Sequence, residues 1–314
     1  MSKLGVFLGV AFAMSGAQAG VLDLGSIMGG ANVYTAGNFK AISSDVEGAI
    51  VSGGNVTIEN YAVNLNKQAA FGTYSVVAGG NVALTSGSIN NGQVYAGTTT
   101  AYQSAAEAPR NTVNPVDFAA ATQQFKDIAA GLSGVAATGS LEREYSGNKV
   151  IGSGKGGLDI FNVDASFFDG GNNWVLSGLT KGQTLIFNIS GKDGGFNNGN
   201  IGFDPLSAYN VLFNFFEAET VDVKGIIGTV LAPYATVKAG WGVINGQVIA
   251  DTWDSSVQVN SNHYFESIEI PGFELVDTNP PDEIPSDVPE PATLALMMAG
   301  AAGVIAIRRR RTPI

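Results

Sequence analysis

The chain contains no cysteine. Disulfides, zinc–thiolate sites and cysteine nucleophiles are thereby excluded, and folding outside the cytoplasm needs no redox assistance. It has one histidine, His263. A hydrolytic triad would have to be built on it, and no G-x-S-x-G elbow accompanies it; within VNSNHYFES it reads as a surface or strand-edge residue. Charge is scarce too: Asp, Glu, Lys and Arg make up 14%, against about 25% in an average soluble protein. Sparse Lys, Arg and Glu disfavour a helical bundle.

What charge there is falls unevenly. The net charge is −11, and five of the 16 basic residues are Lys3 and Arg308 to Arg311. Without them, 11 basic side chains face 27 acidic ones. Such a body is repelled by phosphate backbones, so nucleic acid is not an expected partner.

The 314 residues are 45% hydrophobic and include 42 glycines. The length allows one large or two small domains, and the composition favours short strands joined by glycine turns.

The two ends read as addresses. MSKLGVFLGVAFAMSGAQA has Lys3 as its positive region, an apolar stretch from Leu4 to Met14, and Ala17-Gln18-Ala19 as a small-x-small site. We read residues 1–19 as a signal peptide cleaved between Ala19 and Gly20. At the other end, VPEPATLALMMAGAAGVIAIRRRRTPI holds an uncharged run of 16 residues, Ala292 to Ile307, followed by four arginines. As a helix the run spans about 24 Å, short of a hydrocarbon core of roughly 30 Å. Pro291 and snorkelling arginines narrow the gap. The arginines should stay cytoplasmic, and the many Ala and Gly suit a segment that is recognised and removed. The triplet Pro289-Glu290-Pro291, the apolar helix and Arg308, Arg309, Arg310 and Arg311 together resemble a PEP-CTERM sorting signal, residues 289–314. The resemblance implies an exosortase as processing partner, with the triplet as its recognition motif and the arginines as topology signal. Residues 275–288, with their prolines and acids, read as an extended, self-repelling linker.

Residues 20–274 read as one β-rich domain; a split near its single helix is the alternative. VSGGNVTI (Val51 to Ile58) and VAGGNVAL (Val77 to Leu84) are related, as are INNGQVYAG (Ile89 to Gly97) and INGQVIAD (Ile244 to Asp251). GTVLAPYATVKA (Gly228 to Ala239) has the same rhythm, with Pro-Tyr-Ala in place of Gly-Gly-Asn. Units of this kind suit rungs of a parallel β-helix, with Asn55 and Asn81 bonding turn backbone. Between the repeats, Asn114-Pro115-x-Asp117 reads as an N-cap, a proline at the first helical position and an acid in the first turn. Phe118, Ala121, Phe125, Ile128 and Leu132 share a face, and Gly131 or Gly134 ends the helix. VLSGLTKGQTLIFNIS (Val175 to Ser190) and YNVLFNFFEAETVDV (Tyr209 to Val223) read as strand pairs. The predicted fold is mainly β: a parallel β-helix or solenoid-like domain with one flanking α-helix, plus the signal peptide and a short C-terminal transmembrane helix.

The order SDVEGAIVSGGNV, single helix, TLIFNI, VLFNF, GTVLAPYATV, NGQVIAD resembles the choice-of-anchor A domains over most of residues 24–266. The resemblance implies an adhesin-like domain displayed at the cell envelope or in extracellular matrix such as a biofilm. It transfers no ligand residues.

Other candidate chemistry reduces to turns and edges. Gly152-Ser153-Gly154-Lys155-Gly156-Gly157 satisfies G-x-G-x-x-G, but LDIFNVDASFF after it alternates like a strand, so no helix N-terminus meets a phosphate. The carboxylate pairs Asp45/Glu47, Glu142/Glu144 and Glu217/Glu219 read as solvated strand edges. DGGNN (Asp169 to Asn173) and KDGGFNNGN (Lys192 to Asn200) offer oxygens to calcium without EF-hand spacing. Trp174, Trp241, Trp253, Tyr234 and Tyr264 are either core residues or stacking platforms for sugars or proteins. A single Thr98 to Thr100 cluster does not make an ice-binding threonine array. We therefore expect no catalytic, cofactor or metal residues, and a display protein whose partner is an extracellular polysaccharide or matrix protein. The competing readings are a polysaccharide-acting enzyme and a ligand-free structural component.

Overall fold

The computed structural model describes residues 19–144, 147–169, 174–196 and 204–273. The chain divides into two compact units, Met1–Leu275 and Val276–Ile314, and all described residues belong to the first. The predicted signal peptide up to Gln18, the linker and the sorting signal lie outside the described residues.

The strands are short runs rich in Val, Ile, Phe and Thr, and nineteen of them form one sheet whose pairings are all parallel. The sheet coils. Each turn of the chain lays one strand on a first face, then one on a second and, in most rungs, one on a third, before climbing to the next rung. On the first face one buried position repeats through nine rungs: Phe161, Phe187, Phe213, Val230, Val248, Val33, Ile50, Val76 and Val94. All are fully shielded from solvent. Phe161, Phe187 and Phe213 stack at centroid separations of 5.0 and 5.2 Å, close to the ~4.8 Å between hydrogen-bonded strands.

That column shows the chain entering its own stack in the middle. The rung of Val248 lies directly against that of Val33. From there the N-terminal half climbs to Gln93–Ala96. The helix Phe118–Ser133 then returns along the outside, and strands from Leu158–Asp164 onward build back toward the starting rung. A three-stranded sheet of Ser140–Glu144, Gly147–Ile151 and Trp174–Ser177 packs at the far end. This explains why the INNGQVYAG and INGQVIAD phrases are remote in sequence: their strands occupy one column, with the rungs of Val33, Ile50 and Val76 between them.

The helix seals the outer side of the first face. Ala121, Phe125, Ile128, Ala129 and Leu132 are buried in a second core with Tyr34, Val51, Val77, Leu231 and Ile249. Three polar side chains fix its position. The Tyr34 hydroxyl lies 2.8 Å from Thr122 Oγ1, Asn214 Nδ2 donates to the Ala129 carbonyl at 2.9 Å, and Asn188 Nδ2 donates to that of Leu132 at 2.7 Å. The fourteen residue steps from Phe118 to Leu132 rise about 21 Å. The four rung steps from Tyr34 to Asn188 rise about 19 Å. Helix length and rung count match.

Two local expectations are corrected. The helix N-cap is Asp117, whose Oδ1 accepts from the Ala119 and Ala120 amides. Asn114 instead accepts from the Val116 amide in a local turn, and Pro115 lies before the helix. The apparent strand pairs are not paired with themselves. Trp174–Ser177 pairs with Gly147–Ile151, whereas Thr184–Ser190 lies between Leu158–Asp164 and Asn210–Phe215. Asn210–Phe215 and Thr220–Asp222 sit on successive faces of one rung and pair with different strands. Alternation identifies a strand but not its neighbour.

Candidate ligand-binding face

The second face is built from eight strands: Asp193–Gly195, Thr220–Asp222, the latter part of Thr229–Ala239, the latter part of Val248–Ser255, Phe39–Ile42, the first half of Val56–Val63, the first half of Val82–Ile89, and Thr100–Ala105. Seven spacings give a strip about 34 Å long and, at four residues per strand, about 13 Å wide. Its inner side is apolar, with Val237, Trp253, Phe39, Val56 and Val82 in one column. Trp253 and Phe39 stack at 5.5 Å.

A repeated dipeptide starts the strands of this face: Thr220-Val221, Thr236-Val237, Thr252-Trp253, Asn38-Phe39, Asn55-Val56, Asn81-Val82 and Thr99-Thr100. The second residue turns inward; the first forms a polar outer column. In that column Asn55 N donates to Asn38 Oδ1 and Asn81 N to Asn55 Oδ1, each at 2.8 Å, and Thr99 Oγ1 donates to Asn81 Oδ1 at 2.9 Å. Asn55 and Asn81 thus bond turn backbone as expected, each bridging to its neighbouring rung. The preceding corner is equally repetitive. A Cβ on Gly79 would meet the Gly53 carbonyl oxygen, and one on Gly97 would meet that of Gly79.

Thr220, Thr236 and Thr252 continue the column on three successive rungs; aligning Pro-Tyr-Ala with Gly-Gly-Asn hides this, because it sets Ala235 rather than Thr236 against Asn55 and Asn81. This column is flanked by charge. The next outward position reads Lys238, Asp254, Lys40, Thr57, Ala83 and Ala101, with Lys40 Nζ 3.4 Å from Asp254 Oδ1. Exposed as they are, these two charges contribute at most about 1 kcal/mol to stability. Their consequence is the ionic, hydrated character of the strip.

The five aromatic candidates separate. Trp253 and Trp174 are core, the latter packed on Phe168 and Phe187. Tyr264 is partly buried, and burial, with the nearby Glu47 charge, pushes its hydroxyl well above the usual tyrosine range. Trp241 and Tyr234 are outside, 58% and 45% exposed. They stand at the two ends of one second-face strand. Tyr234 owes its position to an insertion: Ala232 pairs with Ala250 and Thr236 with Thr252, so Pro233-Tyr234-Ala235 opposes the single residue Asp251. Lys126 Nζ of the helix lies 5.1 Å over its ring. Trp241 sits between two glycines. Gly242 has φ +124°, and a Cβ there would overlap the Lys224 backbone.

Each remaining candidate has a structural role or falls outside the description. The Gly152–Gly157 loop leads into the strand Leu158–Asp164, as its alternation predicted. It is held by Asp159, which accepts from the Ser153 amide at 3.1 Å, Thr138 Oγ1 at 2.9 Å and Gln183 Nε2 at 2.9 Å. Burial raises the Asp159 pKa, but these hydrogen bonds outweigh it and hold the carboxyl below its usual range. Glu47 accepts from Asn66 and the Ser261 amide. Burial, then Glu47, pushes the Asp45 carboxyl up. Glu142 faces Lys149 at 3.6 Å, Glu217 accepts from the Gly191 amide, and Glu219 pairs with Lys192 at 2.7 Å; the Glu144 side chain lies outside the description. His263 lines a shallow groove of about 270 Å³ with Tyr209, Asn210 and Glu266. Among the described residues no group of three His, Asp or Glu side chains is placed to hold a metal. In the two Asp/Asn/Gly loops, residues 170–173 and 197–200 lie outside the description. Ala19 and Gly20 begin a strand, Ala19–Leu22, antiparallel to Ile268–Pro271.

One face of the coiled sheet is thus sealed by the helix, and another is bare, polar and edged by aromatics. Residues 25–261 match the family described as "Putative Ice-binding-like adhesive domain", and the chain belongs to that family. Residues 287–311 match the PEP-CTERM protein-sorting motif. No curated protein and no solved structure matches the chain. An adhesive domain joined to this sorting motif marks an exported, cell-surface protein. No described helix is long and apolar enough to cross a membrane.

Proposed function

We propose that this protein is a non-enzymatic adhesin that presents its second face to an extracellular polysaccharide or matrix protein. The observation that carries this reading is the contrast between faces. The helix buries the outer side of the first, whereas the outward rows of the second, Lys238 through Ala101, stay largely in solvent. A large, rigid, uncovered surface on an exported protein suits contact with a partner. The structural engagement of Glu47, Glu217 and Glu219 favours display over catalysis on a polysaccharide.

In this reading residues 1–19 direct export and are removed before Gly20. The tail from Ala292 to Ile307 holds an inner-membrane intermediate, with Arg308 to Arg311 on the cytoplasmic side. An exosortase recognises Pro289-Glu290-Pro291 and passes the domain to the envelope surface or matrix. No cofactor takes part. Deleting Pro289 to Ile314 tests both halves: the domain should appear unanchored in the medium, and cells should lose attachment. Unchanged localisation refutes the sorting role, and normal attachment by cells that have lost the surface protein refutes adhesion.

A further inference from the structure

We propose that the second face binds a neutral polysaccharide, stacked on Trp241 and Tyr234 at the two edges of one rung. This rests on the adhesive reading above and names its ligand class.

Of the three tryptophans only Trp241 is exposed; Trp174 and Trp253 are 6% and 0% exposed. Leaving a large aromatic in water costs free energy, and here the local chain holds it out. The two-residue insertion does the same for Tyr234, and Lys126 restrains the ring. Between the two rings runs one strand whose outward side chains are Thr236 and Lys238, both hydrogen-bonding groups. Apolar platforms separated by donors and acceptors on a flat strip match a sugar chain, whose rings have C–H faces and hydroxyl rims.

Charge selects among sugar chains. Lys238 and Lys40 both have Asp254 as a rung neighbour, so neither stands as an isolated cation. The chain as a whole carries −11. Lys126 and Lys238 are the cations beside the two rings, and with Asp254 next to Lys238 and a net negative chain they do not offset the repulsion that a polyuronate or sulfated polymer would meet. A protein partner fits less well, because the Lys238–Asp254–Lys40 row places charge where a protein interface has an apolar core.

The test uses the purified exported protein, with three neutral polymers (hydroxyethylcellulose, dextran, galactomannan), alginate as polyanion and gelatin as protein. Acrylamide quenching of tryptophan fluorescence reads Trp241 almost alone, since the other two are buried. At least one neutral polymer should protect Trp241 from quenching and bind saturably. Trp241→Ala should abolish binding, Tyr234→Ala should weaken it about tenfold, and Trp241→Phe should keep part of it. Binding of none of the three neutral polymers, equal binding of alginate, saturable binding of gelatin alone, or unchanged affinity in both alanine variants overturns the proposal. In each of those cases the adhesive reading stands or falls separately, on cell attachment.

Discussion

Asn32 donates from its side-chain amide to the carbonyl of Gly246 at 2.9 Å, across 214 residues of sequence. The same amide reaches the Asn260 carbonyl at 3.2 Å, and its oxygen accepts from the Gly48 amide at 3.0 Å. Asn32 is fully buried, so it fastens the seam where the last rungs of the chain meet the first. Asn32→Ala would leave buried backbone groups unpaired. It should cost about 2–3 kcal/mol, read as a lowered urea midpoint with an unchanged slope.

The seam also governs folding. Val33 has a strand neighbour below it only when Val248 is in place. Contacts of such sequence separation make folding slow, in the range of milliseconds to seconds or longer. A chain truncated before residue 247 should fail to give the cooperative unfolding transition of the whole protein. A truncated chain with native-like cooperativity would contradict the interleaved stack.

The phenylalanine stack predicts a graded response. Phe187 lies between Phe161 and Phe213, with no solvent exposure. Phe187→Ala should cost about 3–5 kcal/mol and Phe187→Leu distinctly less, measured by denaturant unfolding.

Two aspartates should move acid stability in opposite senses. Asp159 has a folded pKa below its unfolded value. Its contribution is present above the unfolded pKa, roughly pH 4, and is lost as pH falls through the folded one. Asp159→Asn should lower the melting temperature at neutral pH and shrink the loss on acidification. Asp45 has a raised pKa, so its charged form is penalised in the fold once pH rises through that value. Asp45→Asn should stabilise at neutral pH and change little below the unfolded pKa.

The family is described as ice-binding-like, and the second face bears on that likeness. Thr220, Thr236 and Thr252 form one short threonine column, but Lys238, Asp254 and Lys40 run beside it. Strongly hydrated charges do not fit an ordered ice lattice. Nanolitre osmometry should find no thermal hysteresis; faceted ice crystals would contradict this.

Much of the fold was legible because solenoid rungs repeat their chemistry. VSGGNVTI and VAGGNVAL lie in register one rung apart, Val51 beside Val77 and Val56 beside Val82, as their shared spacing implied. The helix face was legible because burial by one flank imposes a 3.6-residue period. Topology was not. Nothing local in Val248 or Val33 says that they touch, and parallel strands carry no turn that names a neighbour. The site was half legible. Trp253 and Trp241 are chemically identical, and only the rung decides which enters the core. Trp253 follows Thr252 in the inward position of the dipeptide repeat, whereas Trp241 sits in a glycine corner. Recognising all seven dipeptides would have separated them.

The claim that the second face makes the contact is tested most directly by measuring attachment of cells displaying arginine variants of each side. Thr236→Arg together with Asp254→Arg projects bulk and charge from the bare strip at the rung of Trp241 and Tyr234 and the one beside it, whereas Gln124→Arg does so from the exposed side of the helix. With equal surface amounts verified by antibody, the account predicts that the strip variant loses attachment and the helix variant keeps it. Full attachment by the strip variant, or equal loss in both, would contradict it.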